Sequence, residues 1–253
     1  MKLKPRFMEN CEPFLKIGNN GIGLIFQHGS TGTPAAMRYA SDYFFAKGYT
    51  VLAPALAGHA TDVEDISRCT IDDYRTELEK AIFLLRSCCN RVILCGLSMG
   101  GILSAIVGSY MNLDGLVIMA APSWNFQMSD AKTDCASRNP EDNGWYKPEL
   151  MGEWKTYSME EMIKRMPSGN GMQELLKLEK ETVDEIQVPT LLIYSKGDKV
   201  CDWHQGEVIF DCIQAPKKEF CVLEHSGHVL TADGERDLVF QRIETFIEKH
   251  CNV

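Results

Sequence analysis

The sequence predicts an α/β fold, in which a mostly parallel β-sheet is covered by helices on both faces. Three observations lead there. Short apolar runs alternate with longer amphipathic stretches along most of the chain. The runs are continuous rather than alternating in polarity, as strands buried on both sides must be. The residues able to do chemistry fall just after these runs, where the carboxyl ends of parallel strands gather and ligands bind.

The elements follow in order. Residues 21–27 form a short apolar run that stops at His28-Gly29. Thr33-Pro34 reads as an N-cap followed by proline at the first helical position, which opens a helix predicted to about Lys47 and ended by Gly48. Residues 50–53 are a second strand, closed by Pro54. Thr70 caps a helix predicted to about Leu85, with Asp72 and Asp73 facing the positive end of its dipole. Residues 91–95 read as a buried strand, 96–101 as a tight turn, 102–110 as a helix and 115–119 as another strand. Further strands are predicted at 190–194 and 219–223, and a closing amphipathic helix at 235–249.

The segment from about 123 to 185 breaks this rhythm, because no buried strand is legible in it. It carries Trp124, Trp145 and Trp154, and also Met128, Met151, Met159, Met162, Met166 and Met172. A structureless loop of that length does not suit a compact domain. The segment is therefore expected to be a small cap of short helices, inserted into a single domain spanning 1–253. Methionine is flexible and polarizable and suits an apolar substrate pocket, so Trp124 and Met128 are candidate substrate-binding residues. The alternative is that these side chains form only the cap's own core.

With 253 residues, 45% hydrophobic and 24% charged, the chain can build a full core without disulfides or metals. A net charge of −9 argues against nucleic acid and against a surface held on anionic lipid. Lys2, Lys4 and Arg6 are followed by no apolar run, so neither a signal peptide nor stable membrane insertion is expected. The ten cysteines include no C-x-x-C pair; Cys88 and Cys89 are adjacent, and Cys95 lies inside an apolar run as a small hydrophobe would. Reduced thiols in a cytoplasmic protein are the expectation.

Gly96-Leu97-Ser98-Met99-Gly100 fits G-x-S-x-G. A sharp strand-to-helix turn strains the serine backbone and exposes its hydroxyl, and glycine is needed two residues to either side because a side chain there would strike neighbouring backbone. Ser98 is thus the candidate nucleophile, and it needs a base because serine is a weak nucleophile at neutral pH. In this arrangement the chain order is serine, acid, histidine. His28 and His59 come too early, His204 follows the candidate acid closely at a helix start, and His250 lies near the terminus and is expected to be solvated. His225 and His228 remain, both in the loop after a strand, and His228 is favoured because it follows the flexible Ser226-Gly227 pair. Asp198, just past the strand at 190–194, is the candidate acid to hold the imidazole. Asp202 is the runner-up, and Asp233 is expected to cap the last helix. Oxyanion stabilisation needs preorganised N–H donors. The backbone amides of Met99 and of Ser30, in the loop His28-Gly29-Ser30-Thr31-Gly32, are the candidates. That loop contains neither G-x-G-x-x-G nor G-K-[ST], so nucleotide binding has little support.

Together, H-G-S-T-G-T-P, G-L-S-M-G-G, G-D-K-V and H-S-G-H-V-L-T-A-D resemble the small bacterial carboxylesterases and monoacylglycerol lipases of the α/β-hydrolase superfamily. The resemblance covers nearly the whole chain and is weakest in the cap. It implies an α/β-hydrolase fold and a serine esterase with Ser98, Asp198 and His228 as catalytic triad. The Ser30 and Met99 amides would be the oxyanion donors, no cofactor or metal would be needed, and the substrate would be a small ester. The same three groups also serve acyltransferases, thioesterases, and amidases or peptidases, and a non-catalytic ligand-binding relative would keep the same pocket. Many relatives have a bulky apolar residue where this chain has Ser30, and many have glycine at the position of Ala60, a change expected to matter little.

Overall fold

The computed structural model describes residues 5–127, 150–153 and 171–251. Among these residues seven strands form one sheet: β1 (Phe14–Lys16), β2 (Ile22–Gln27), β3 (Thr50–Ala53), β4 (Arg91–Leu97), β5 (Gly115–Met119), β6 (Thr190–Ser195) and β7 (Lys218–Leu223). Their spatial order is β1-β3-β2-β4-β5-β6-β7. Every neighbouring pair is parallel except β1 with β3, which run antiparallel with Leu15 opposite Leu52. β4 lies between β2 and β5, with Leu94 aligned to Ile25 on one side and to Leu116 on the other.

Six α-helices accompany the sheet among the described residues: α1 (Arg38–Ala46), α2 (Ile71–Arg86), α3 (Met99–Tyr110), α4 (Met172–Thr182), α5 (His204–Cys212) and α6 (Arg236–His250). Strand residues alternate between two cores, as the period of two requires. Leu94, Leu116, Ile118 and Leu192 pack with α2, α3, α4 and α5 on one face. Ile93, Cys95, Val117 and Ile193 pack with Phe44 of α1 and Phe240, Ile243 and Phe246 of α6 on the other. Both faces are apolar, so the strands read as continuous runs.

Several boundaries differ from the sequence-based expectation. The first helix is split: Pro34–Met37 is a 3₁₀ turn, and α1 starts only at Arg38. Thr33 does cap this turn, its Oγ1 accepting from the Ala35 amide at 3.3 Å. α3 begins at Met99 rather than at 102, because Gly100 and Gly101 are helical despite glycine's poor propensity. α2 keeps its expected start and carries a full capping box between Thr70 and Asp73. β1 has no counterpart in the expectation; its three half-exposed residues at the sheet edge make no apolar run. Ala60 adopts φ 57, the left-handed region that favours glycine, so the backbone registers the alanine there. The nine described cysteines form no disulfide, and Cys95 is fully buried as expected. No helix among the described residues is long and apolar enough to cross a membrane.

Candidate active site

The site lies at the carboxyl ends of β2, β4, β6 and β7. β4 delivers Ser98 directly into α3, with Ser98 at φ 56 and ψ −125. A non-glycine residue holds such a backbone only when its surroundings enforce it. Here the Ser98 amide donates to Met119 O at 2.8 Å, and the Gly101 amide donates to Ser98 O at 2.7 Å. The flanking glycines leave no room for a side chain. A methyl at Gly96 would stand 2.1 Å from Gly100 O, and one at Gly100 would stand 2.4 Å from His28 O.

His228 and Asp198 converge on this serine. His228 Nε2 lies 2.9 Å from Ser98 Oγ, and its Nδ1 lies 2.8 Å from Asp198 Oδ2. With Nδ1–H donating to the carboxylate, Nε2 is left as the acceptor for the serine hydroxyl. Both His228 and Asp198 are buried, whereas Ser98 is half-buried. The second carboxylate oxygen, Oδ1, accepts from the amides of Val200 at 2.8 Å and Cys201 at 3.0 Å. Asp198 thus has three donors, which orient it and offset its burial.

The competing candidates lie elsewhere. Asp202 is taken up by His204 at the start of α5. His225 is exposed, and its amide donates to Glu235. His250 is not merely solvated, since its Nε2 meets Glu219 on β7 at 2.7 Å. Asp233 does not cap α6, whose N-cap is Glu235 without a side-chain bond. Instead its Oδ2 accepts from the Gly227 amide at 2.7 Å and braces the loop that carries His228.

Of the two candidate oxyanion donors, Met99 is the first residue of α3 and directly follows Ser98. Ser30 sits in the loop after β2. Gly29 packs so tightly on Ser98 that a Cβ there would lie 2.9 Å from Ser98 Cβ. The Gly29 carbonyl accepts from the Gly32 amide at 3.1 Å and from His28 Nδ1–H at 2.9 Å. The Gly29–Ser30 peptide is trans, so pinning its carbonyl also fixes the direction of the Ser30 N–H.

His28, too early in the chain to be the base, has a different role. Its Nε2 accepts from the Leu56 amide at 3.2 Å, so one neutral tautomer bridges the loops after β2 and β3. Burial, and then the neighbouring His59, push it down to about 3 against the Gly29 hydrogen bond, so it stays neutral through ordinary pH. The polar His28 ending an apolar run was the signal in the sequence. Trp124 is half-buried and packs against the core on the α2, α3 face. Met128 lies outside the described residues, as do Trp145 and Trp154.

The profile of the alpha/beta hydrolase family matches residues 24–241. The chain is an α/β hydrolase. This hydrolase is 29% identical over 248 residues to the thermostable monoacylglycerol lipase of Bacillus sp. (strain H-257), covering 96% of this chain and 97% of that one. It is 28% identical over 242 residues to a carboxylesterase of Bacillus subtilis (strain 168), covering 94% and 96%. A solved structure from work on LipS and LipT, two metagenome-derived lipolytic enzymes, superposes with a TM-score of 0.81 at 25% identity, covering 96% of this chain and 100% of that one.

Proposed function

We propose that this hydrolase is a serine carboxylic-ester hydrolase acting on short-to-medium acyl esters or monoacylglycerols, with Ser98, His228 and Asp198 as its triad. The hydrogen-bonded row from Ser98 Oγ through His228 to Asp198 carries this reading. In the first half-reaction His228 Nε2 takes the Ser98 proton as Oγ attacks the ester carbonyl, and the Asp198 carboxylate stabilises the imidazolium. The Ser30 and Met99 amides hold the oxyanion. His228 then protonates the leaving alcohol, and a water activated by the same imidazole hydrolyses the acyl-enzyme. The likeness to a monoacylglycerol lipase and a carboxylesterase over nearly whole chains supports the substrate class.

Ser98→Ala tests the reading. It should lower turnover of p-nitrophenyl butyrate by roughly three or more orders of magnitude and abolish labelling by a fluorophosphonate. Turnover close to wild type in that variant would remove Ser98 as nucleophile.

A further inference from the structure

Glu235 stands at the N-cap of α6, yet its side chain makes no cap bond there. Ser, Thr, Asp and Asn are preferred at that place, because their short side chains reach a helix amide. The Glu235 carboxylate reaches back to the loop after β7 instead. Its Oε2 accepts from the His225 amide at 2.9 Å and from the Ser226 amide at 2.7 Å. In return the Glu235 amide donates to Ser226 Oγ at 3.3 Å, so the two residues are joined in both directions. The next amide along, that of Gly227, donates to Asp233 Oδ2 at 2.7 Å. Three successive N–H groups leading into His228 thus end on carboxylates, in bonds stronger than those between neutral groups.

The acid loop packs on the same stretch of backbone. Gly197, directly before Asp198, lies so close that a Cβ on it would stand 2.6 Å from His225 O and 2.8 Å from Ser226 O. The peptide between His225 and Ser226 is trans, so its N–H and its C=O point in opposite directions. The N–H is held by Glu235, and the C=O faces Gly197. One peptide therefore sets the spacing between the loop that carries the acid and the loop that carries the histidine. The 2.8 Å contact of His228 Nδ1 with Asp198 Oδ2 depends on that spacing.

We propose that Glu235 is a positioning residue for His228, its carboxylate fixing the His225–Ser226 peptide and with it the reach of the imidazole between Ser98 and Asp198. The proposal rests on the Ser98–His228–Asp198 reading. What matters is an oxygen at the right distance rather than a charge or a helix cap, because a single oxygen receives both amides. A misplacement of about 1 Å at a reacting group can cost roughly a hundredfold in rate.

The test compares wild type, Glu235→Gln and Glu235→Asp in kcat and KM on p-nitrophenyl butyrate and in the rate of fluorophosphonate labelling. Urea unfolding of each shows that the rates belong to folded protein. Glutamine keeps an oxygen in reach of both amides without the charge. Aspartate keeps the charge and is the better N-cap, but it is one methylene too short to reach the loop. Glu235→Gln should stay within about threefold of wild type. Glu235→Asp should lose roughly tenfold or more in kcat and in labelling rate, with KM within about twofold. A support given only to α6 or to the local charge would reverse that order. Glu235→Asp at or above Glu235→Gln in kcat, or both at the wild-type rate, overturns the Glu235 proposal alone. A wild type neither labelled nor active overturns the esterase reading beneath it.

Discussion

Gly100→Ala probes the contact on which the site geometry turns. The added methyl would lie 2.4 Å from His28 O and 2.6 Å from Gln27 O, both backbone atoms at the end of β2. Ordinary contact begins near 3.4 Å, so something must yield by about 1 Å. No flexible side chain is available to move, and overpacking of this kind costs about 1–3 kcal/mol. The strain falls on the peptide leading into Gly29 and Ser30. If the Ser30 amide donates to the oxyanion, kcat should fall by roughly 10²–10³-fold, the usual effect of losing one such donor. The assay pairs kcat and KM on p-nitrophenyl butyrate with urea unfolding, and Gly234→Ala is the control, since a methyl there meets nothing within 4 Å. A Gly100→Ala protein with both the kcat and the urea midpoint of wild type would refute the reasoning.

Two further outcomes follow from the same structure. Asp198→Asn keeps the shape but presents an amide to His228 Nδ1, so kcat should drop by roughly four orders of magnitude with KM little changed, measured at saturating ester. Glu179 on α4 is buried with neither carboxyl oxygen hydrogen-bonded, so Glu179→Leu should stabilise the protein at pH 8 by about 1–3 kcal/mol in urea unfolding. The sign follows from linkage: the folded value of Glu179 is raised, so wild-type stability is fullest below the unfolded carboxyl value near 4.3 and declines as pH rises toward the folded one. The leucine variant lacks that slope, and an equal advantage at pH 5 and pH 8 would contradict the linkage.

Much of the fold was legible because two-sided burial writes each central strand as an unbroken apolar run. β2, β3, β5 and β6 were placed within a residue or so on that signal. β1 escaped because an edge strand of three residues is held by ladder hydrogen bonds to β3 rather than by burial. The start of α3 escaped because Gly100 and Gly101 are chosen for close backbone approach, which overrides their helix propensity. Ser98, Asp198 and His228 could be ordered along the chain, since each follows its own strand. The part played by His28 could not, because it depends on the loops after β2 and β3 lying side by side. Glu179 was hidden for a similar reason: on a helix with exposed charges at Lys177, Lys180 and Glu181, one more acidic residue reads as surface.

The hydrogen-bonded row joins residues 130 and 30 positions apart in the chain. No short fragment of the polypeptide contains it, and it needs the ends of β4, β6 and β7 brought into one sheet. Hydrolytic rate is therefore a stricter gauge of correct refolding than helix content. A preparation recovering native circular dichroism before it recovers turnover would expose the stage at which β6 and β7 dock beside β5.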